Sequence, residues 1–427
     1  MIGEQRLPTH GTHMAASTTT TLDKFLKTLY KNRPEDLVYN NTPLLGMLTQ
    51  KQDFVGKDNS LFIPFRYGRP QGVSNTFANA QAGASSSVVD GFTLTRKRLY
   101  GFGTITRETA MAFKDGGSVG DFAAEAIQLE GDGTIRSCSE TLHAQLWGNG
   151  GGSIGQVNSG TTGTSFTLKN RFDVNKFEIG MKLQFSAADG LSGAVKTGEA
   201  TVTGVAVGTG VITVSAALSA IDGGTGPATN DHVFRSGTFG AAWLGIPAFI
   251  PTSAPSATAF LGVNRSVAPE RLGGVRYDGS GAGSHRAAVL NGATELSLHS
   301  LPRPATHLFV HPNDYNILVQ EQEAKVQQLQ HAIMGGKVHI SFESFVVHTP
   351  AGPLQAVGDF RCPEGYAYIL SMDTWELHTM GPLMDWVDED GSRVRALASE
   401  DGFEFRIASY GNLVCTAPGR NCVITLP

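Results

Sequence analysis

One pentapeptide has the spacing of a catalytic serine motif. Residues 151–155 read Gly-Gly-Ser-Ile-Gly, which matches the GxSxG pattern of a serine nucleophile held on a sharp turn. That chemistry needs a strand before the serine and a helix after it. Here a predicted helix precedes Ser153, and a glycine-rich linker surrounds it. The pattern therefore indicates a linker, and we expect this chain not to be an enzyme.

Three other groups of residues could bind a phosphate or a metal ion. The glycine-rich run at 279–283 lacks the GxGxxG spacing and the lysine of phosphate-binding loops. His307 and His311 lie on a predicted strand with apolar neighbours, without an HExxH motif. The acidic run at 385–390 misses the alternate-residue spacing of a calcium loop. We interpret these groups as a loop, structural histidines and a solvated turn, and expect no metal and no cofactor.

The four cysteines also have the chemistry of a metal or redox site, but none of them forms a CxxC pair. In a reducing cytoplasm they are expected to be buried free thiols. Cys415 and Cys422 could face each other if residues 416–421 turn back, and Pro418-Gly419 makes such a turn feasible. The other two cysteines are Cys138 and Cys362.

The composition bears on the class of partner. The net charge of the 427 residues is −5 and no long basic run occurs, which argues against tight binding of nucleic acid. Only 17% of the residues are charged and 52 are glycine, so much of the surface is expected to be covered by partners. No stretch is apolar enough to span a bilayer, and no secretory signal begins the chain. We therefore expect assembly in a cytoplasm.

The N-terminal part is too small to hold a core. Residues 1–13 differ in character from the rest of the chain and are interpreted as a leader or non-native extension. Phe25 and Leu29 then fall on one apolar stripe of a short predicted helix, which ends before Pro34. This segment predicts a thin arm that anchors on another surface.

A long hairpin is predicted next. Strand-like runs at 60–69 and 92–108 flank a stretch of small polar residues at 70–91, which predicts a flexible tip. An isolated hairpin is only marginally stable, so a neighbouring subunit is expected to cover it. Its basic residues either bind carboxylates of that neighbour or form a solvated stem. They are Arg66, Arg69, Arg96, Lys97 and Arg98.

Two further elements complete the pattern. Apolar periodicity from 118 to 147 predicts a long helix, in which Gly131 and Gly133 could produce a bend. Residues 156–236 instead show short alternating runs separated by turn residues, which predicts a small all-β module. Its ends are rich in glycine, serine and threonine, as expected for an insertion at a surface loop.

The C-terminal third resembles the major capsid proteins of tailed bacteriophages. A strand runs into a helix at 309–315, an Arg-Cys-Pro-Glu-Gly-Tyr segment begins at Arg361 with Trp375 close behind, and the ending spans 406–427. The order of these segments, after an arm, a hairpin and a long helix, is similar to that family over about 22–147 and 238–427. The resemblance implies an α+β fold, the tailed-phage major capsid fold, with a small all-β insertion domain.

The same resemblance implies a division of the chain. The expected parts are a leader at 1–13, an N-arm at 14–54, an extended hairpin loop at 55–110, a peripheral domain with a spine helix at 111–150, an inserted β-rich domain at 151–237, and an axial domain with returning peripheral strands at 238–427. Phe25, Leu29 and the five basic hairpin residues are the expected subunit contacts. No lysine lies at 74–90, so the covalent cross-link of some members is not expected.

The implied function is self-assembly into an icosahedral head shell of hexamers and pentamers around the phage genome. Implied partners are a separate scaffolding protein, a portal protein, a possible decoration protein and weakly contacted DNA, with no membrane. The chain would be found in the virion after assembly in the host bacterial cytoplasm. Two alternatives stay open: an encapsulin-like compartment and a β-rich phage tail or receptor-binding component.

Overall fold

The computed structural model describes residues 42–54, 60–108, 119–299, 305–323, 346–387, 394–397 and 400–427. The chain divides into two compact units. The first holds 100–139 and 384–408, and the second holds 41–99, 140–383 and 409–427. Within the described ranges, no helix is long and apolar enough to cross a bilayer.

The helices of the described residues vary widely in length. They are α1 Pro43–Met47, α2 Phe77–Ala82, α3 Val119–Leu146, α4 Ile246–Phe249, α5 Pro269–Gly273, α6 His285–His299 and α7 Pro312–Glu323. Helix α3 confirms the long helix expected at 118–147, and it continues unbroken through both glycines. In the first unit, a Cβ at Gly131 would lie 2.5 Å from the Trp386 ring, so packing requires glycine there.

A sheet in the first unit forms around the N-terminal half of a long strand. This strand, β19, runs Gly402–Cys415, and its residues up to Ala408 belong to this unit. Its partners are β4 Lys97–Thr106, β17 Asp385–Trp386 and β18 Val394–Ala396. Trp386 packs on Phe405 with ring centroids 5.5 Å apart.

The second unit contains a six-stranded mixed sheet. Its order is β11-β20-β15-β12-β14-β13. The strands are β11 Val275–Asp278, β12 His307–Val310, β13 Val346–Thr349, β14 Gly352–Gly358, β15 Tyr366–Leu370 and β20 Cys422–Thr425. Helix α6 packs on this sheet through Ala288, Val289 and Leu296, which are buried in the same core as Ile369 and Ile424. The strand-to-helix segment at 309–315 is thus part of this layer.

Six short strands of the second unit close into a barrel. They are β5 Ser153–Ser159, β6 Ser165–Leu168, β7 Lys182–Ser186, β8 Ala200–Ala206, β9 Val211–Val214 and β10 His232–Arg235, in the order β10-β5-β6-β9-β8-β7. Alternate residues point inward, and Phe166 meets Phe185 edge to face at 5.6 Å. The all-β character expected for 156–236 is therefore present. Its status as an inserted domain, like the other domain boundaries, stays a prediction.

The remaining strands of the second unit form a short sheet and a hairpin. Strand β1 Thr49–Lys51 pairs in parallel with β16 Trp375–Thr379, which pairs with the later part of β19. Strands β2 Ser60–Gly68 and β3 Val88–Thr95 form the hairpin. The sequence had predicted one strand over 92–108, and it is divided at Arg96 into β3 and β4.

Candidate functional site

The hairpin is anchored at its base and exposed elsewhere. Strands β2 and β3 are antiparallel, with Ser60 opposite Thr95 and Ile63 opposite Phe92. In the described ranges they form a sheet of two strands only. Phe92 is fully buried and contacts the rings of Phe249 and Phe260 at centroid distances of 5.9 and 6.1 Å. One face of the hairpin therefore belongs to the core of the second unit.

We define the outer face of the hairpin as Phe62, Pro64, Arg66, Val89, Gly91 and Thr93. These residues alternate with the inward-facing ones and oppose each other across the two strands. Phe62 is 60% exposed and Val89 is 68% exposed. The Phe62 ring lies directly over Gly91, where a Cβ would be only 2.3 Å from the ring. The outer face thus exposes three apolar residues, Phe62, Pro64 and Val89, beside the polar Arg66 and Thr93.

The tip of the hairpin, residues 69–87, presents two further apolar side chains. Val73 is 94% exposed and Phe77, at the start of α2, is 84% exposed. Residues Gln71 and Ser85 close the tip, because each donates its backbone N–H to the other, at 3.1 Å to the Ser85 hydroxyl and 3.0 Å to the Gln71 carbonyl. A short helix, α2, forms in the tip, since the alanine-rich 77–82 segment favours a helical turn.

Val73 and Phe77 were missed in the sequence analysis. Their signal was present as two isolated large apolar residues within a run of small and polar ones. Large apolar side chains placed on an ordered, solvent-exposed turn are typical of contact sites. They extend the outer face towards the end of the hairpin.

The structure separates the five basic hairpin residues. Arg66 lies on the outer face, and Arg69 and Arg98 are exposed. Lys97 instead donates from Nζ to the Gly240 carbonyl at 2.9 Å, and burial lowers the pKa of its ammonium group. Arg96 contacts Met380 Sδ at 3.1 Å. The role of these five residues in contacts between chains stays a prediction, and Phe25 and Leu29, predicted with them, lie outside the described residues.

A cluster of buried polar side chains surrounds Asp359 in the second unit. His143 Nε2 and Trp147 Nε1 lie 2.8 and 3.0 Å from Asp359 Oδ2, and the Arg361 backbone N–H donates to Asp359 Oδ1 at 2.9 Å. The Arg361 guanidinium lies 3.4 Å from Glu140 Oε2. Burial raises the pKa of Glu140, and the positive charge of Arg361 opposes that rise. This cluster stabilises the end of α3 against the 359–361 segment.

The cluster around Asp359 also bonds the barrel to the rest of the second unit. Arg361 Nη1 donates to the Asn175 carbonyl at 2.6 Å, and Asn175 lies on the 3-10 turn Arg171–Lys176 of the barrel. On that turn, Phe172 packs on the His311 ring at 4.7 Å. Arg235 of β10 donates to the Thr141 hydroxyl at 2.6 Å. The barrel is therefore bonded to the rest of the second unit at several separate points.

Ser153 lies in β5 rather than on a strand-to-helix turn. Its hydroxyl is 2.9 Å from His232 Nδ1, a distance that would suit a catalytic pair. However, the Gln156 amide donates to His232 Nε2 at 2.9 Å, so the Nδ1 atom carries the proton. An imidazole that donates to the serine hydroxyl cannot accept its proton, and this pair therefore does not form an activated nucleophile.

The two histidines considered as metal ligands, His307 and His311, have hydrogen-bond partners within the chain. His307 contacts the Thr306 hydroxyl at 2.8 Å, and the Asn313 backbone N–H donates to His311 at 3.2 Å. Within the described ranges, no group of three or more His, Cys, Asp or Glu residues could hold a metal ion. Asp388, Glu389 and Asp390 lie outside those ranges.

All four cysteines are buried free thiols, as expected. A 3-10 turn at Pro418–Arg420 lies between Cys415 and Cys422, which belong to strands of different sheets. The two thiols have different neighbours: Cys415 contacts the Thr374 hydroxyl, and Cys422 contacts the Gly292 carbonyl. Burial raises the pKa of Cys415 to about 12, so this thiol is neutral at physiological pH.

The comparisons with known proteins give likenesses of shape. No family model matches the chain, and no curated protein matches it. The chain is similar to the capsid of cyanophage A-1(L), with 14% identity, a TM-score of 0.48 and coverage of 96% of this chain and 98% of that one. It is also similar to a structure of Gordonia phage Cozz, with 10% identity, a TM-score of 0.45 and coverage of 100% of this chain and 98% of that one. The SrpI encapsulin from Synechococcus elongatus is similar with 9% identity, a TM-score of 0.42 and coverage of 96% of each chain.

Proposed function

We propose that this chain is a major capsid protein of a tailed bacteriophage, which assembles with copies of itself into the head shell. The observation that supports this most directly is the hairpin, whose outer face and tip expose Phe62, Val73, Phe77 and Val89. Burying a phenylalanine side chain stabilises a complex by about 1.5–3 kcal/mol, so an isolated chain forgoes several kcal/mol at this surface. A second copy of the chain is the simplest partner that covers it in every subunit.

The arrangement suits assembly through many weak contacts. Each hairpin would contribute a modest apolar contact, part of which is offset by the loss of freedom on association. Modest contacts allow misplaced subunits to dissociate, and their repetition in a closed shell of hexamers and pentamers gives a durable particle. Arg66, Arg69 and Arg98 would add contacts with carboxylates of the neighbour.

The finer features of the proposal come from the resemblance. A scaffolding protein would guide assembly in the host bacterial cytoplasm, a portal protein would occupy one vertex, and DNA would be contacted weakly inside the virion. The barrel, proposed as an inserted domain at 151–237, is bonded to its own chain through Arg361 and Arg235. Such a barrel would keep one orientation in each subunit and could brace a neighbour or receive a decoration protein.

The test is assembly of the full chain with and without a scaffolding partner, observed by negative-stain microscopy and light scattering. Phe62→Ser and Phe77→Ser are expected to reduce the yield of closed particles at least tenfold. Leu298→Ser is the matched control, because Leu298 is 72% exposed but lies on α6, outside both the hairpin and the barrel, and this variant should assemble normally.

Other outcomes would contradict the proposal. A wild-type chain that stays monomeric under every assembly condition would exclude a shell protein. Trimers that bind sugars would favour a tail component. Particles that contain a cargo enzyme instead of DNA would favour an encapsulin-like compartment.

A further inference from the structure

The segment 42–54, here named the arm end, lies against its own chain. Strand β1 pairs in parallel with β16, with Thr49 opposite Glu376 and Lys51 opposite His378. Leu44, Leu48 and Phe54 are buried. The Phe54 backbone N–H donates to the Thr379 carbonyl at 3.2 Å. The arm end is therefore docked by a short edge strand and three apolar anchors.

A buried histidine lies under the docked segment between two carboxylates. His378 Nδ1 is 2.6 Å from Asp53 Oδ1, and its Nε2 is 3.1 Å from Glu376 Oε2. The His378 side chain is only 3% exposed, whereas that of Asp53 is 50% exposed. Glu376 also binds Lys51 Nζ at 2.8 Å. Asp53 and Lys51 thus join the arm end to two residues of β16.

We propose that His378 is a proton-dependent latch for the arm end. An ionised carboxylate only accepts hydrogen bonds, so an imidazole with a carboxylate at each nitrogen must donate twice. Two donating nitrogens require the positively charged ring. A neutral ring has one N–H and would turn a lone pair towards either Asp53 or Glu376. Docking is therefore coupled to the charge of His378.

The surrounding groups support this assignment. The carboxylates that pair with His378 are Asp53 and Glu376, and Glu376 pairs in turn with Lys51, so a positively charged ring would balance the second carboxylate. On the other side, β19 places Asn412 opposite His378. Asn412 is neutral, and it donates to the Thr95 carbonyl and accepts from the Leu244 N–H. Nothing in this set replaces the proton of His378.

The charge of His378 sets the direction of the pH dependence. Because the docked geometry places a carboxylate at each ring nitrogen, the proposed latch favours docking at low pH and release at high pH. Histidine side chains change charge mainly between pH 5 and 8, which sets the range to be examined. The latch is a property of one chain and does not depend on the proposed function. In a shell protein it would control when 42–54 leaves its own sheet for a neighbouring copy.

The test is hydrogen exchange of the full-length chain at pH 5.5 and pH 8.0, read by mass spectrometry on peptides that cover 42–54. Rates are divided by the intrinsic rates at each pH, and light scattering checks that the assembly state is the same. Protection of these peptides is expected to fall about tenfold at the higher pH, as for the loss of one charge-assisted hydrogen bond.

Variants distinguish the latch from general loosening. Asp53→Asn, at a half-exposed side chain, should fold normally and abolish the difference between the two pH values. His378→Gln should likewise abolish the difference in protection between the two pH values. Asp90→Asn, an exposed carboxylate on β3, should behave as the wild type. Equal protection of the wild type at both pH values, or an unchanged pH difference in Asp53→Asn, overturns the proposal.

Discussion

Replacing Arg361 by methionine is expected to destabilise the second unit strongly. The change keeps much of the length of the side chain but removes the guanidinium that contacts Glu140 at 3.4 Å and the Asn175 carbonyl at 2.6 Å. Glu140 would remain as a buried carboxylate without its partner. Breaking a buried ion pair from one side costs about 3–5 kcal/mol, and we expect a loss of that size in the free energy of unfolding.

Arg420→Met is the matched control. Arg420 also contacts a carboxylate, Asp373 at 2.9 Å, but the Asp373 side chain is 44% exposed. Water therefore compensates the loss of the arginine, and the cost should stay below about 1 kcal/mol. Urea unfolding of the unassembled chain, followed by tryptophan fluorescence, measures both variants, since Trp147 lies 3.0 Å from Asp359 in the same cluster. Equal losses in the two variants would refute the reasoning.

The loss of stability in the Arg361→Met variant should also depend on pH. Burial raises the pKa of Glu140, and Arg361 is the group that opposes this rise. A carboxyl whose folded-state pKa is raised contributes stability that is present at low pH and is lost as pH rises through that pKa. The difference in the free energy of unfolding between the variant and the wild type should therefore be smaller at pH 5 than at pH 8. A difference that grows on acidification contradicts the assignment of Glu140.

Three further predictions concern packing, thiols and cross-linking. Gly131→Ala should destabilise the chain by about 1–3 kcal/mol, because the new Cβ would overlap with Trp386. Gly133→Ala should instead stabilise α3 by up to about 1 kcal/mol, because no described atom lies within 4 Å of the new Cβ. Thermal unfolding measures both effects. Cys415 should resist a thiol reagent at pH 8 until the chain is unfolded, and fast labelling of the native chain would contradict its burial. Denaturing electrophoresis of particles should show a single monomer band, and a covalent ladder would contradict the prediction from the lysine-free 74–90 segment.

Much of the local structure could be predicted from the sequence. The apolar periodicity over 118–147 corresponds to α3, and the alternating runs after residue 156 correspond to barrel strands. Both patterns arise because a helix or strand must turn one set of side chains towards a core.

Details that depend on packing were predicted less well. The sequence predicted a flexible tip for the hairpin and did not predict that α2 forms there and exposes Phe77. The sequence also did not show that the ammonium group of Lys97 binds the carbonyl of Gly240, far away in the sequence. Similarly, Gly131 was expected to bend α3, yet its lack of a side chain makes room for Trp386.

The sequence alone determined the long helix α3 and the all-β character of 156–236, because hydrophobic periodicity and turn residues act over a few neighbouring positions. Only the tertiary structure decided which polar groups meet. Asp53 is 325 residues from His378, and His143 is 216 residues from Asp359. Such pairs depend on the register and packing of separate elements, and no local pattern records them. The proposed latch and the cluster around Arg361 both belong to this second kind of information.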